Sequence, residues 1–128
     1  MERDRDDVLR EIVRRDPRFP EQAYTFVLEA LDFTIRRRGK GRKHVGGVEL
    51  IEGFRDLALE TFGLLARAVF AEWGISRTGD VGAIVFRMIE EDLLQKTADD
   101  RLEDFEDVFD FEETFENGFR ETLAKVAI

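Results

Sequence analysis

Apolar residues recur at three- and four-residue intervals through most of this chain, a spacing that predicts helices. Asp7 to Arg15 reads as a short first helix with Val8, Ile12 and Val13 facing inward. Asp16-Pro17 ends it, because the residue before a proline avoids the helical region. Pro20 suits the first turn of a second helix, which carries Tyr24, Val27, Leu28, Leu31 and Ile35 on one side and runs to about Arg37. A basic loop, Arg38-Gly39-Lys40-Gly41-Arg42-Lys43, follows. Val48 to Phe62 is the third helix, with Leu50, Ile51, Phe54, Leu57 and Ala58 on one face, and Gly63 breaks it. Leu64 to Trp73 is the fourth, with Gly74 as its C-terminal cap. After the tight connection Ile75-Ser76-Arg77-Thr78, a fifth helix turns Val81, Ile84, Val85, Met88 and Ile89 inward and ends near Leu94.

Beyond that point the pattern changes. Leu93 to Thr97 reads as a short strand, Ala98 to Glu103 as a polar turn, and Asp104 to Phe109 as the return strand of a hairpin. Asp110 with Glu113 resembles a capping box in which Asp replaces Ser or Thr. A short helix after it would present Phe111, Phe115 and Phe119, with Asn117-Gly118 at its end. The expected fold class is mainly α: five to six helices, a small β-hairpin and a winged-helix-like C-terminal half whose fifth helix takes the recognition position. A helical bundle with an irregular tail fits the same pattern.

The 128 residues suit a single domain, ending in an acidic segment from about residue 95 to 128. At 43% hydrophobic and 38% charged the composition is that of an ordered helical protein. The net charge of −9 is unevenly placed: residues 1–89 hold 16 Lys and Arg against 15 Asp and Glu, whereas residues 90–128 hold 4 against 14. Such an edge repels phosphate backbones and anionic membranes. No window approaches the roughly 18 apolar residues of a membrane span, and Met1 to Asp7 has no apolar stretch of a signal peptide. A cytoplasmic placement is therefore expected.

Reactive chemistry is sparse. One serine (Ser76), one histidine (His44), one tyrosine (Tyr24) and no cysteine leave little for nucleophilic, redox or zinc sites. No catalytic residue, metal site or cofactor is expected. There is no Walker phosphate loop, no calcium loop and no Glu-x-x-His pair. One candidate anion or polar site gathers Arg42, Lys43, His44, Gly46, Gly47 and Arg55, where cations and helix amides would meet a phosphate. His44 could serve as a general base oriented by Glu49 or Asp56, or as a structural histidine. Glu49, Glu52 and Asp56 share a helical face, which suits a hard cation or an ion-paired surface. On the fifth helix only Arg87 suits a base edge. The candidate interaction surface is Phe105, Asp107, Phe109, Asp110, Phe111, Glu113 and Phe115: an acidic–aromatic face for a basic partner, or rings packed inward with acids facing water.

A longer set of residues carries a family resemblance. It comprises Asp16-Pro17-Arg18-Phe19, Ala23-Tyr24, Ala30-Leu31-Asp32, His44-Val45, Gly47, Glu49-Leu50, Gly53, Arg55-Asp56, Phe62-Gly63, Glu72-Trp73-Gly74, Thr78, Asp80, Gly82, Ile84-Val85-Phe86, Lys96-Thr97 and Asp104-Phe105. With these the chain resembles a small, uncharacterised bacterial family, conserved hypothetical proteins of planctomycetes and verrucomicrobia. The resemblance implies no activity, cofactor or catalytic residue.

Three functions follow as expectations. The first is a non-enzymatic interaction or adaptor protein whose acidic third meets a basic protein. The second is a winged-helix-like regulator that approaches nucleic acid through the basic loop, a reading disfavoured by the acidic edge. The third is a small-molecule binder or enzyme centred on His44 with Arg55, Asp56, Trp73 and Lys96. It requires those side chains to converge on one concave site.

Overall fold

A computed structural model describes residues 4–39, 45–95 and 101–117. Its five α-helices are α1 (Arg5–Arg15), α2 (Glu21–Arg38), α3 (Gly47–Phe62), α4 (Ala66–Glu72) and α5 (Thr78–Glu90). Helix α1 begins two residues earlier than expected because Asp4 caps it, its side chain accepting from the Asp7 amide at 2.8 Å. Asp6 and Asp7 sit in its first turn and Arg14 and Arg15 in its last, matching the helix dipole. Proline 20 stands as the N-cap of α2 in extended backbone. A 3₁₀ turn, Gly63–Leu65, occupies the start of the expected fourth helix, so α4 is short.

Two helix ends show the same closure. At the end of α4, the Ile75 amide donates to the Phe70 carbonyl at 2.8 Å and the Gly74 amide to Ala71 at 3.1 Å, with Gly74 at φ +77°. This is the Schellman arrangement that glycine favours. At the end of α5, Leu93 donates to Met88 at 2.8 Å and Asp92 to Ile89 at 3.0 Å, with Asp92 at φ +61°. An aspartate tolerates this left-handed backbone better than most side chains do, which ends α5 before the expected Leu94.

The hairpin requires correction. Among the described residues there is no strand. Leu93 and Leu94 lie in a bend and Gln95 is irregular, and the expected return strand opens with a 3₁₀ turn, Leu102–Phe105. Arg101 caps that turn through its backbone amide, which donates to Asp104 Oδ2 at 3.0 Å. The local hydrogen bonds of Asp104 thus compete with a ladder and prevail. Helix α5 packs on α2, α3 and this turn rather than chiefly on α4. The structure is mainly helical, and it has no wing among the described residues.

Helices α2 and α3 form the central pair, with α1 and α5 laid against α2. Aromatic rings join the layers. Phe54 and Phe70 stack with centroids 4.9 Å apart, and Phe26 meets Phe54 edge-on at 5.4 Å. Phe26 continues the chain of rings to Phe62 at 5.3 Å and Trp73 at 5.8 Å.

Candidate interaction surface

The C-terminal segment is anchored by three phenylalanines. Phe105 lies over glycines: a Cβ on Gly82 would sit 2.5 Å from Phe105 Cβ, and one on Gly47 would sit 3.1 Å from its ring. No larger residue at Gly82 leaves room for this ring. The edge of Phe105 also meets Phe86, centroids 5.9 Å apart. Val108 donates its amide to Thr78 Oγ1 at 3.1 Å, tying the segment to the start of α5. The Asp110 carboxylate then accepts from the Glu113 amide at 2.9 Å, and the expected short helix follows as a wider π-type turn, Glu112–Asn117. It directs Phe111 and Phe115 onto Phe70, at 5.9 and 5.4 Å, and the two rings meet edge-on at 4.9 Å. Phe109 stacks on Phe111 at 5.3 Å and stays half-buried. Phe119 lies outside the described residues.

The rings therefore point inward while Asp107, Asp110 and Glu113 are exposed. What residues 101–116 offer to solvent is mainly carboxylate, together with Arg101 and Leu102, with little aromatic surface beyond Phe109. Some of these acids are engaged. Glu116 pairs with Arg67 at 2.7 Å, and Glu106 approaches Arg77 at 3.8 Å. The Glu106 carboxylate also lies against the first turn of α5, 2.7 Å from where a Gly79 Cβ would stand, where the helix dipole favours an anion. Glu103, Asp104, Asp107, Asp110 and Glu113 form no ion pair among the described residues.

The anion site is not assembled among the described residues. Arg42, Lys43 and His44 lie outside them, as do Lys96 and Thr97. Gly46 caps α3, Gly47 is buried beneath Phe105, and Arg55 is occupied by Asp56 at 2.8 Å. Arg37 reaches the same carboxylate at 2.6 Å. Partial burial pushes the Asp56 carboxyl up, but hydrogen bonds from Arg55 and Arg37 outweigh it and hold the group below its ordinary value. Glu49 pairs with Arg38 at 2.7 Å, so two of the three acids on this face of α3, Glu49 and Asp56, are ion-paired.

Nor do Arg55 and Asp56 meet Trp73. Asp56 pairs with Arg37, whereas Trp73 packs on Phe26, eleven residues earlier on α2, or about 16 Å along the axis. Arg87, the one residue of α5 suited to a base edge, is also committed. It pairs with Asp16 at 2.5 Å, contacts the Tyr24 hydroxyl at 3.3 Å and lies 5.3 Å from the Phe19 ring centre.

Two features escaped the sequence pattern. One is the polar clasp around that same Phe19. Arg18 sits 4.6 Å from the ring centre and pairs at 2.6 Å with Asp80, which is 3% exposed and also accepts from the Ser76 amide at 2.9 Å. The residues stand far apart in sequence, and only the resemblance set, with Asp16-Pro17-Arg18-Phe19 and Asp80, marked them, without joining them. The other is a cleft of about 440 Å³ between the N-terminal half of α2 and the ends of α3 and α4, walled by Phe26, Phe62 and Trp73 with Glu21 and Glu29 beside them.

Among the described residues no group of three or more His, Cys, Asp or Glu side chains is placed to hold a metal ion. No helix among them is long and apolar enough to cross a membrane. No family model matches the chain, and neither a curated protein nor a solved structure matches it.

Proposed function

We propose that this chain is a non-enzymatic interaction module that receives a basic segment of a partner protein. The observation that carries the reading is the set of exposed carboxylates, Glu103, Asp104, Asp107, Asp110 and Glu113, on a segment pinned by buried rings. Fixed anions that form no ion pair among the described residues attract a cationic partner from a distance and lose less conformational freedom on binding than a loose tail would. Helices α4 and α5, the helix–turn–helix part of a winged-helix layout, serve in this reading as the scaffold for protein contact. Membership of the planctomycete and verrucomicrobial family is part of the proposal and adds no activity to it.

Fluorescence anisotropy tests this with two labelled ligands at low salt, a lysine-rich peptide and a random-sequence DNA duplex. Binding of the peptide alone is expected. Binding of the duplex, or of neither ligand, contradicts the reading.

A further inference from the structure

The cleft beside Trp73 differs from the rest of the acidic surface in having aromatic walls. Phe62 and Trp73 stand nearly perpendicular, at 80° with centroids 5.9 Å apart, and Phe26 closes the corner behind them. Phe26 is 4% exposed and serves as the floor, whereas Phe62 and Trp73 are half-buried and keep part of their surface open. Along α2, Glu21, Thr25 and Glu29 repeat every four residues and so share the face that borders the cleft. Neither Glu21 nor Glu29 has a cation within ion-pair distance among the described residues. Arg10, close enough to feel the charge of Glu21, is already bonded to Asp7.

Open indole and phenyl surface bordered by carboxylates that form no ion pair among the described residues is the chemistry that holds an organic cation. Tryptophan is the strongest cation–π partner among the side chains. A guanidinium fits better than an ammonium, because its planar face stacks on a ring while its edge donates to carboxylates. The volume of about 440 Å³ falls within the range of side-chain-sized and ligand-sized pockets.

We infer that this cleft is the specificity subsite of the interaction module: it takes one arginine side chain of the partner's basic segment, stacked against Trp73 and Phe62 and held by Glu21 and Glu29. The inference rests on the function proposed above and adds a side-chain preference that exposed carboxylates alone do not provide. The tail acids attract any cation, whereas the cleft discriminates arginine from lysine.

Trp73 is the sole tryptophan of the chain, so its emission reports directly on the cleft. The experiment titrates the full chain with blocked hexa-arginine and blocked hexa-lysine peptides. Trp73 emission and the anisotropy of the labelled peptide are read in parallel. Three proteins are compared: the unaltered chain, Glu21→Gln with Glu29→Gln, and Glu103→Gln with Asp107→Asn and Glu113→Gln. Hexa-arginine is expected to shift Trp73 emission saturably and to bind about tenfold more weakly to the cleft variant, one decade in Kd. Hexa-lysine should bind without that shift. Binding seen by anisotropy with Trp73 silent, and weakened only by the tail substitutions, overturns the cleft and leaves the interaction module standing. Absence of binding by either readout removes both. Equal shifts from the two peptides, or from blocked single arginine at the same concentration per residue, overturn the arginine-segment assignment. So does a dimer seen by sedimentation without peptide that the cleft substitutions dissociate, since the occupant is then a second copy.

Discussion

Two regions of this molecule are built from the same ingredients, phenyl or indole rings and carboxylates, and arrange them in opposite ways. In residues 101–117 the two kinds are sorted: Phe105, Phe111 and Phe115 are buried and the acids between them face water. At the other end of the same seam of rings, Phe62, Trp73, Glu21 and Glu29 border a single cleft. The sorting follows from local geometry. A chain of short turns can rotate each side chain toward its preferred medium. The cleft instead lies where three helices meet, and there the ends of α3 and α4 leave rings partly uncovered opposite the polar positions of α2. The same residue types therefore make a stable anionic edge in one place and the proposed arginine-binding corner in the other, and only packing separates the two.

The comparison can be broken most forcefully at the buried rings. Phe115→Ala removes a fully buried ring and is expected to cost about 3–5 kcal/mol in urea unfolding, against under about 2 kcal/mol for Phe109→Ala, which is half-buried. Equal losses would mean that the tail is not sorted as described. Next come the carboxylates that hold the fold rather than face a partner. Asp80→Ala strips Arg18 and the Ser76 amide of their acceptor and should lower stability by about 1–3 kcal/mol, measured by the same unfolding curves. An unchanged midpoint would remove the clasp around Phe19 from the account.

Smaller still is the Asp56 pair. Its carboxyl is held below the ordinary value, so the pair stabilises the fold above a pH of about 3.9 and loses that contribution as pH falls through the depressed value. Asp56→Asn should cost under about 1 kcal/mol near neutrality, and the difference from the unaltered chain should vanish in acid. A difference that grows toward acid would reverse the sign. The smallest stability effect is expected from Glu103→Gln with Asp107→Asn and Glu113→Gln, within about 0.5 kcal/mol for each site, although the same changes weaken binding of a basic peptide. Stability that drops sharply would show these acids to be structural.

The helices were legible because their apolar spacing, the Asp16-Pro17 stop and the Gly74 cap are local signals that agree with the packing. The capping role of Asp110 and the shared face of Phe111 and Phe115 were legible for the same reason, being separated by about one helical turn, whereas the sequence left open whether that face turns inward. The hairpin misled because apolar residues on either side of a polar stretch, Leu93-Leu94 before it and Phe105, Val108 and Phe109 after it, look alike whether they form strands or short turns. Arg101 and Asp104 instead close a local turn, and Phe105 finds its seat on Gly47 and Gly82, which are remote in sequence. The cleft was illegible because its walls come from α2, α3 and α4, and each of its residues alone reads as ordinary core or ordinary surface. Of the polar site around Arg55, the described residues include Gly46, Gly47 and Arg55, and proximity along one helix gives Arg55 a neighbouring carboxylate, Asp56.

The most direct test of the account is the affinity of the full chain for blocked hexa-arginine, measured by titration calorimetry from low salt to physiological ionic strength, about 0.15 M. The account predicts clear binding at low salt that weakens steadily as salt rises, because fixed carboxylates supply the attraction. No binding at low salt, or an affinity indifferent to salt, would contradict it.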